Sequence, residues 1–552
     1  MKAPVAVPKL SGFDKSHQNL LTSKCGTITP ILVDELIPGS KVNLKLALSA
    51  SLPPLASETF MRCSIKTEAF FVPMRLLSGS FEDWFTDNPR RVYDGGNFNS
   101  VPAFLPVIAG RDPGAGQLPS WQLELGTPGS LSDYLGIRSV NPNVFFNHPI
   151  SALPFLAYHK IYNDWYRNSL VQNECFVYPS VNVEEGSGNG YSPACAPYQF
   201  WFRDTYVWNA FDVHFFDLAD GHSLFKLRQR NFGLDYFTTA TPNPQQGEAQ
   251  VVTFDTSGAT GQFSIATLRA VNSMQQFKER NNLLGNLYVE QLNGRYGVRP
   301  SDGIAQRSLY LGRGEFEVYS KGIYQTSGFT DSTQGTNNPF EGSVGARYGS
   351  AYASGDSFVI DGFEAKEPGY LFVMATLVPR VTYSSGIDRM LEHYVGEGSL
   401  SDMANPILQN VGPQPIYGRE LTGDNQAVFG YTDRYAEFKT KQDSLHGLLR
   451  DGQTLESFAL QRSFELGADV YIGSDFLEIP TNYLDQVSAV SEAVSNYGYW
   501  MDCYFNYKVA MPLSKYSLPS LQDPAYEHGK TILRKRHSNL IVKVTVHPIA
   551  II

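Results

Sequence analysis

Polar and apolar residues alternate along Lys41–Ser49, "KVNLKLALS": Val42, Leu44, Leu46 and Leu48 point one way, Lys41, Asn43 and Lys45 the other. A period of two marks a strand with one buried face. It follows a turn signal at Pro38-Gly39. Ser64–Pro73, "SIKTEAFFVP", reads as a second strand, stopped by Pro73. Tyr370–Val378, "YLFVMATLV", does not alternate. A short, continuous apolar run of β-formers predicts a fully buried strand. Tyr499–Leu513 and Leu540–Ile552 read as two more strands, and in the last Leu540, Val542, Val544 and Val546 alternate with Lys543 and Thr545.

The period changes in two places. Over Ala266–Leu292, Leu268, Val271, Leu284 and Leu287 recur at helical spacing, with Lys278, Glu279 and Arg280 on the polar side. Gly285 interrupts this helix and Gly294 is its expected stop. A second helix is predicted near Phe155–Asn168, where Phe155, Tyr158, Tyr162 and Tyr166 form one stripe with Trp165 beside it. Such a stripe reads as packing. Between these elements the chain is loop-like: residues 86–130 hold six prolines and seven glycines, and 184–198 and 326–357 are rich in Gly, Ser and Asn. The pattern is mainly β. It predicts a β-sandwich or jelly roll with long loop insertions and a few helices, both chain ends adding strands to the same sheets. We read residues 1–552 as a single such domain, loop-rich near 80–150, 171–265 and 326–357, with the helix at 266–292.

Composition sharpens this picture. Aromatic residues make up 13% of the 552 positions and charged residues 18%, below the usual level of about 25%. Few charges and many rings suit large protein–protein interfaces. The net charge of -10 argues against a dedicated nucleic-acid binder while leaving room for a local basic patch. Cys25, Cys63, Cys175, Cys195 and Cys503 form no CxxC pair, which excludes a disulfide scaffold and a zinc ribbon and points to reduced thiols. The first residues, "MKAPVAVPKLSGFDKSH", lack the apolar run of a secretory signal, and no stretch approaches the length of a membrane helix. The expectation is a protein made in a cytosol and not inserted in a membrane.

The search for chemistry finds little. The chain has no GxSxG, HExxH, P-loop or GxGxxG motif. Asp212, His214, Asp217, Asp220 and His222 carry metal-ligating atoms within eleven residues, but their spacing matches no known site and reads as a turn-rich loop. Glu184-Glu185 and Glu82-Asp83 read as solvated charge pairs. His148 and His159 have no partner at a telling spacing. We therefore assign no catalytic, cofactor-binding or metal-binding residue. The basic cluster Lys530, Arg534, Lys535 and Arg536 stands out in an acidic chain and is the first candidate for phosphate contact; Arg228 and Arg230 are the second. Phe155, Tyr158, Tyr162, Trp165 and Tyr166, with Trp201 and Trp208 of "YQFWFRDTYVWNAF", are the candidates for interface or packing.

Nine stretches then occur in an order that resembles the major capsid proteins of the Microviridae, closest to the gokushovirus-like branch. They are "FDKSH" (Phe13–His17), "TPILVDELIPG" (Thr29–Gly39), "EAFFVPMRLL" (Glu68–Leu77), "ALPFLAYHKIYNDWYRN" (Ala152–Asn168), "LDYFTTATPNPQQG" (Leu234–Gly247), "LYLGRGEFEV" (Leu309–Val318), "IYQTSG" (Ile323–Gly328), "FGYTDRYAEFK" (Phe429–Lys439) and "FLEIPTNYLDQV" (Phe476–Val487). The resemblance implies a viral jelly roll of eight antiparallel strands and no enzymatic role. It implies a sixty-copy T=1 virion shell around a circular single-stranded DNA genome, assembled in the bacterial host cytoplasm. The partners it implies are a small basic DNA-binding protein, a scaffolding protein, a spike protein in some branches, and a host receptor. Relatives carry a long insertion after the "DYFT" motif; here eighteen residues separate Gly247 from Ala266, which argues against a tall threefold protrusion. Residues 171–230 are longer than in many relatives and are expected to form a surface or intersubunit feature. Aromatic loops and scattered carboxylates also fit an alternative, a carbohydrate-active or carbohydrate-binding β-sandwich.

Overall fold

The computed structural model describes residues 10–78, 81–86, 126–138, 150–172, 225–247, 265–284, 287–324, 347–392, 412–490 and 498–513, with short strands at 90–94, 97–101, 107–108 and 207–208. Eight strands carry the fold: β1 (His17–Ser23), β2 (Thr29–Leu36), β3 (Lys41–Ser51), β4 (Cys63–Pro73), β5 (Leu309–Glu317), β6 (Arg347–Glu364), β7 (Gly369–Pro379) and β8 (Tyr499–Met511). They pair antiparallel in two sheets, β1–β8–β3–β6 and β5–β4–β7–β2. Ser11–Asp14 extends the first sheet beside β8, and Tyr319–Tyr324 extends it beside β6. First–eighth–third–sixth facing second–seventh–fourth–fifth is jelly-roll connectivity. The ends meet as the pattern predicted: Ser23 pairs with Tyr499 and His17 with Phe505. The expected strand at Leu540–Ile552 lies outside the described residues.

Between the sheets, Val42, Leu44, Leu46 and Leu48 of β3 and Met501, Cys503, Phe505 and Tyr507 of β8 meet Ile65, Ala69 and Phe71 of β4 and Leu371, Val373 and Leu377 of β7. Burial along β3 alternates as its sequence does. β7 is buried at all eleven positions. Its other face supplies Tyr370, Phe372 and Met374 to a second core, shared with Phe70 and Val72 of β4 and with helix α1 (Leu153–Ile161). Two cores on two faces explain why this strand lost its alternation.

Two expectations are corrected. Residues 347–357 are not loop but the first part of β6. Their small residues are inward-facing: Ala351 and Ala353 are buried, and a Cβ on Gly349 would lie 2.4 Å from the Ser57 carbonyl oxygen. A strand packed this closely admits no larger side chain, so its composition imitates a loop. The long predicted helix is two, α2 (Ile265–Leu284) and α3 (Tyr288–Tyr296), and Gly294 lies inside α3 instead of ending it. A Cβ there would sit 1.9 Å from Leu284 Cδ2, so Gly294 marks the close approach of the two helices. Gly297, at φ +67°, is the actual cap, donating its N–H to the Asn293 carbonyl at 2.9 Å.

Candidate assembly and nucleic-acid surfaces

α1 belongs to the long insertion between β4 and β5, and it turns back onto the outer face of β4 and β7. Pro154 stands in its first turn, where a missing N–H costs nothing. It then widens into a π turn, Tyr162–Tyr166, closed by the Arg167 N–H on the Tyr162 carbonyl at 3.1 Å. The aromatic stripe read from the sequence faces the barrel. Phe155, Tyr158 and Tyr162 are buried in the second core, and Trp165 and Tyr166 pack at its margin. Phe155 meets Phe225 edge-on at 5.4 Å, and Trp165 and Tyr166 flank Phe70 at 6.0 and 5.9 Å.

The polar tips of Tyr158, Trp165 and Tyr166 are tied down. Tyr158 Oη donates to the Ile28 carbonyl at 2.8 Å and accepts from the Arg228 N–H at 2.9 Å. Trp165 Nε1 donates to Ser308 Oγ at 2.9 Å, and the Arg307 guanidinium lies 4.2 Å from its ring centre. Tyr166 Oη donates to Glu68 Oε2 at 2.6 Å, and Arg230 forks onto the same carboxylate at 2.6 and 3.1 Å. Burial pushes the Glu68 carboxyl up, but the charge of Arg230 and the hydrogen bonds from Arg230 and Tyr166 outweigh it and hold the group below its ordinary value.

Arg228 is 3% exposed, and its Nε donates to His159 Nδ1 at 3.2 Å. His159 is thus a buried packing partner. The Arg230 guanidinium, committed to Glu68, also lies 5.1 Å from the Tyr166 ring centre. Both guanidiniums are held inside the subunit, and the phosphate reading passes to the C-terminal cluster alone. Lys530, Arg534, Lys535, Arg536 and Trp201 lie outside the described residues, as do His148, Glu184, Glu185 and the Asp212–His222 cluster. So does most of the 171–230 region; Trp208 falls in the short strand Val207–Trp208, parallel to Val107–Ile108. Among the described residues, no group of three or more His, Cys, Asp or Glu is placed to hold a metal, and no helix is long and apolar enough to cross a membrane. Cys25, Cys63 and Cys503 are buried free thiols, and burial pushes the Cys503 thiol up to about 12.

Sequence reasoning missed Glu68, Asp164 and Ser308. Asp164 Oδ2 accepts from the Ser308 N–H and Oγ, each at 2.9 Å, while Oδ1 accepts from Lys160 at 2.9 Å, fixing the π turn to the chain entering β5. Glu68 left one usable signal, a lone carboxylate on the face of β4 shared with Phe70 and Val72, where burial requires a partner.

The first sheet is finished differently. One row across its outer face runs Thr22, Trp500, Ser51, Tyr352, Tyr319 by register. Trp500, Tyr352 and Tyr319, with Tyr504 four residues along β8, are 47–53% exposed. Lys45 and Lys508 share this face and are exposed.

A jelly roll with an insertion packed on one sheet and a row of half-exposed rings on the other is an architecture shared by viral capsid proteins. The chain belongs to the capsid protein (F protein) family, whose model matches residues 4–260 and 250–521. It is 26% identical to capsid protein VP1 of Chlamydia phage 1, over 94% of this chain and 97% of that one. It is 26% identical to capsid protein VP1 of Bdellovibrio phage phiMH2K (92% and 95%) and 24% identical to that of Spiroplasma virus 4 (92% and 94%). The motif resemblance to Microviridae capsid proteins therefore holds, and the protein is a structural, non-enzymatic major capsid protein of the virion that self-assembles into a shell. This assignment takes the place of the carbohydrate-active alternative.

Proposed function

We propose that sixty copies build a T=1 icosahedral shell around a circular single-stranded DNA genome, with the outer face of the β1–β8–β3–β6 sheet turned toward the DNA. The row of half-exposed rings across that face carries the reading. Rings interspersed with lysines suit single-stranded nucleic acid, whose bases stack on aromatic side chains without regard to sequence. The basic cluster Lys530, Arg534, Lys535 and Arg536 is the chain's candidate for phosphate contact. A chain of net charge -10 supplies little counter-charge for a packaged genome. That shortfall supports a small basic DNA-binding partner. A scaffolding protein, a spike protein and a host receptor complete the proposed set, with assembly in the bacterial host cytoplasm.

The test is to neutralise Lys530, Arg534, Lys535 and Arg536 to glutamine and, separately, to replace Trp500 and Tyr504 by serine, then measure DNA per purified particle. The expected result is closed particles with reduced DNA. Unchanged DNA content in both variants would rule the orientation out.

A further inference from the structure

The α2–α3 hairpin leaves several apolar groups in solvent. Its inward side buries Val289 and is otherwise tied by polar contacts: Asn282 Nδ2 donates to Thr241 Oγ1 at 3.0 Å, Gln275 Nε2 meets Gln245 Oε1, and the Lys278 carbonyl accepts from the Gln246 N–H. Its outward side and the segment that follows α3 carry further apolar groups. Leu283, Tyr288, Tyr296, Val298 and Ile304 are 57–78% exposed. A surface helix ordinarily buries its apolar residues and presents polar ones to water. Tyr288 and Tyr296 are two turns apart on α3 and lie about 80° apart around its axis. The hairpin is also rigid where it presents them. Gly294 seats α3 directly on Leu284, and Arg295 lies over Phe277 at 4.6 Å while donating to Asn281 Oδ1 at 2.7 Å.

Charge selects the occupant. Residues 265–304 hold five Lys/Arg (Arg269, Lys278, Arg280, Arg295, Arg299) against three Asp/Glu (Glu279, Glu290, Asp302), a net of +2 in a chain of -10, which leaves -12 on the rest. Arg269, Arg280 and Arg299 are exposed. A cationic, Tyr- and Arg-bearing knob on an otherwise acidic subunit is complementary to another copy of that subunit. A closed shell needs several heterologous contacts of this kind on every chain. We propose that the α2–α3 hairpin is an intersubunit clamp that docks Tyr288, Tyr296 and the flanking arginines on an acidic surface of a second copy of this chain. The inference rests on the shell-assembly reading above.

The experiment uses the full chain in two double variants, Tyr288→Ser with Tyr296→Ser, and Arg280→Glu with Arg299→Glu. Assembly is followed by sizing and negative-stain microscopy, folding by circular dichroism and melting, and packaged DNA by absorbance. Both variants alter exposed positions, and the expected result is a folded subunit whose threshold concentration for assembly rises about tenfold or more, as for truncated hot-spot residues. If one variant melts early, the other is read alone. Wild-type thresholds in a folded variant would overturn the clamp. So would normal shells with reduced DNA, which would place the hairpin against the genome. Failure of the wild-type chain to form shells at all would instead overturn the assembly reading beneath it.

Discussion

β7 and β8 each lie inside one of the two sheets, and their outer faces end differently. β7 is buried at every position because the chain's own insertion lays α1 across it. β8 alternates buried and more exposed positions along its whole length, and its outward rings Trp500 and Tyr504 stay about half exposed. The outer face of β7 is apolar and the subunit covers it, whereas that of β8 sets Trp500 and Tyr504 among Asp502, Asn506 and Lys508. The difference teaches which part of the surface the subunit completes by itself and which part it leaves for another molecule. The first kind should show up as stability, the second as assembly or packaging.

The largest expected effect lies in the self-completed face. Phe372→Ala empties a fully buried site between β7 and α1, and unfolding by denaturant should show a loss of about 3–5 kcal/mol. Tyr162→Ala should fall in the same class, because Tyr162 is buried in that core. Retained wild-type stability in either variant would erase the contrast between the two faces.

Next in size is the ion pair at the margin of this core. Arg230→Ala leaves the Glu68 carboxylate buried without its partner, at a cost of about 3 kcal/mol near neutral pH. The sign with pH follows from the direction of the Glu68 shift. A carboxyl held below its ordinary value stabilises the fold above that value, and the contribution fades as pH falls through the lowered one. The deficit of the variant relative to the wild type should therefore shrink in acid. A deficit independent of pH would show that the pair is not what Arg230 supplies.

A smaller loss is expected from Tyr158→Phe, which deprives the Ile28 carbonyl and the Arg228 N–H of one shared hydroxyl. Leaving buried polar groups unpaired costs about 1–3 kcal/mol. The smallest effect belongs to the other face. Trp500→Ser should change subunit stability by no more than about 0.5 kcal/mol, as exposed substitutions do, while lowering packaged DNA. A large stability loss there would mean that the subunit itself covers this sheet.

The contrast explains what was legible in the sequence. β3 and β8 could be read because one face of each is wet and the other dry, and β7 because a strand with two dry faces becomes a continuous apolar run. β6 was hidden, since close packing at Gly349, Ala351 and Ala353 selects small residues and small residues look like loop. The aromatic stripe of α1 was visible as a stripe. Its partners were not: Phe70, Phe372 and Glu68 come from strands, and Ser308 from the chain entering β5, all far away in the chain, and periodicity carries no information about distant pairs. Arg228 and Arg230 looked like phosphate contacts for the same reason, because the groups that hold them, His159 and Glu68, are remote in sequence. The outward row on the first sheet left no local signal either; it exists only once register brings Trp500, Tyr352 and Tyr319 into line.

The most direct test is electron cryomicroscopy of purified particles at a resolution that traces the strands. The expected map places the outer face of β1–β8–β3–β6 on the inside of the shell, with density for nucleic acid against Trp500, Tyr504 and Tyr352, and α1 on the opposite side of the barrel. A map with that face on the exterior, or covered by another part of the same chain, would contradict the division between a self-completed sheet and one completed by the genome.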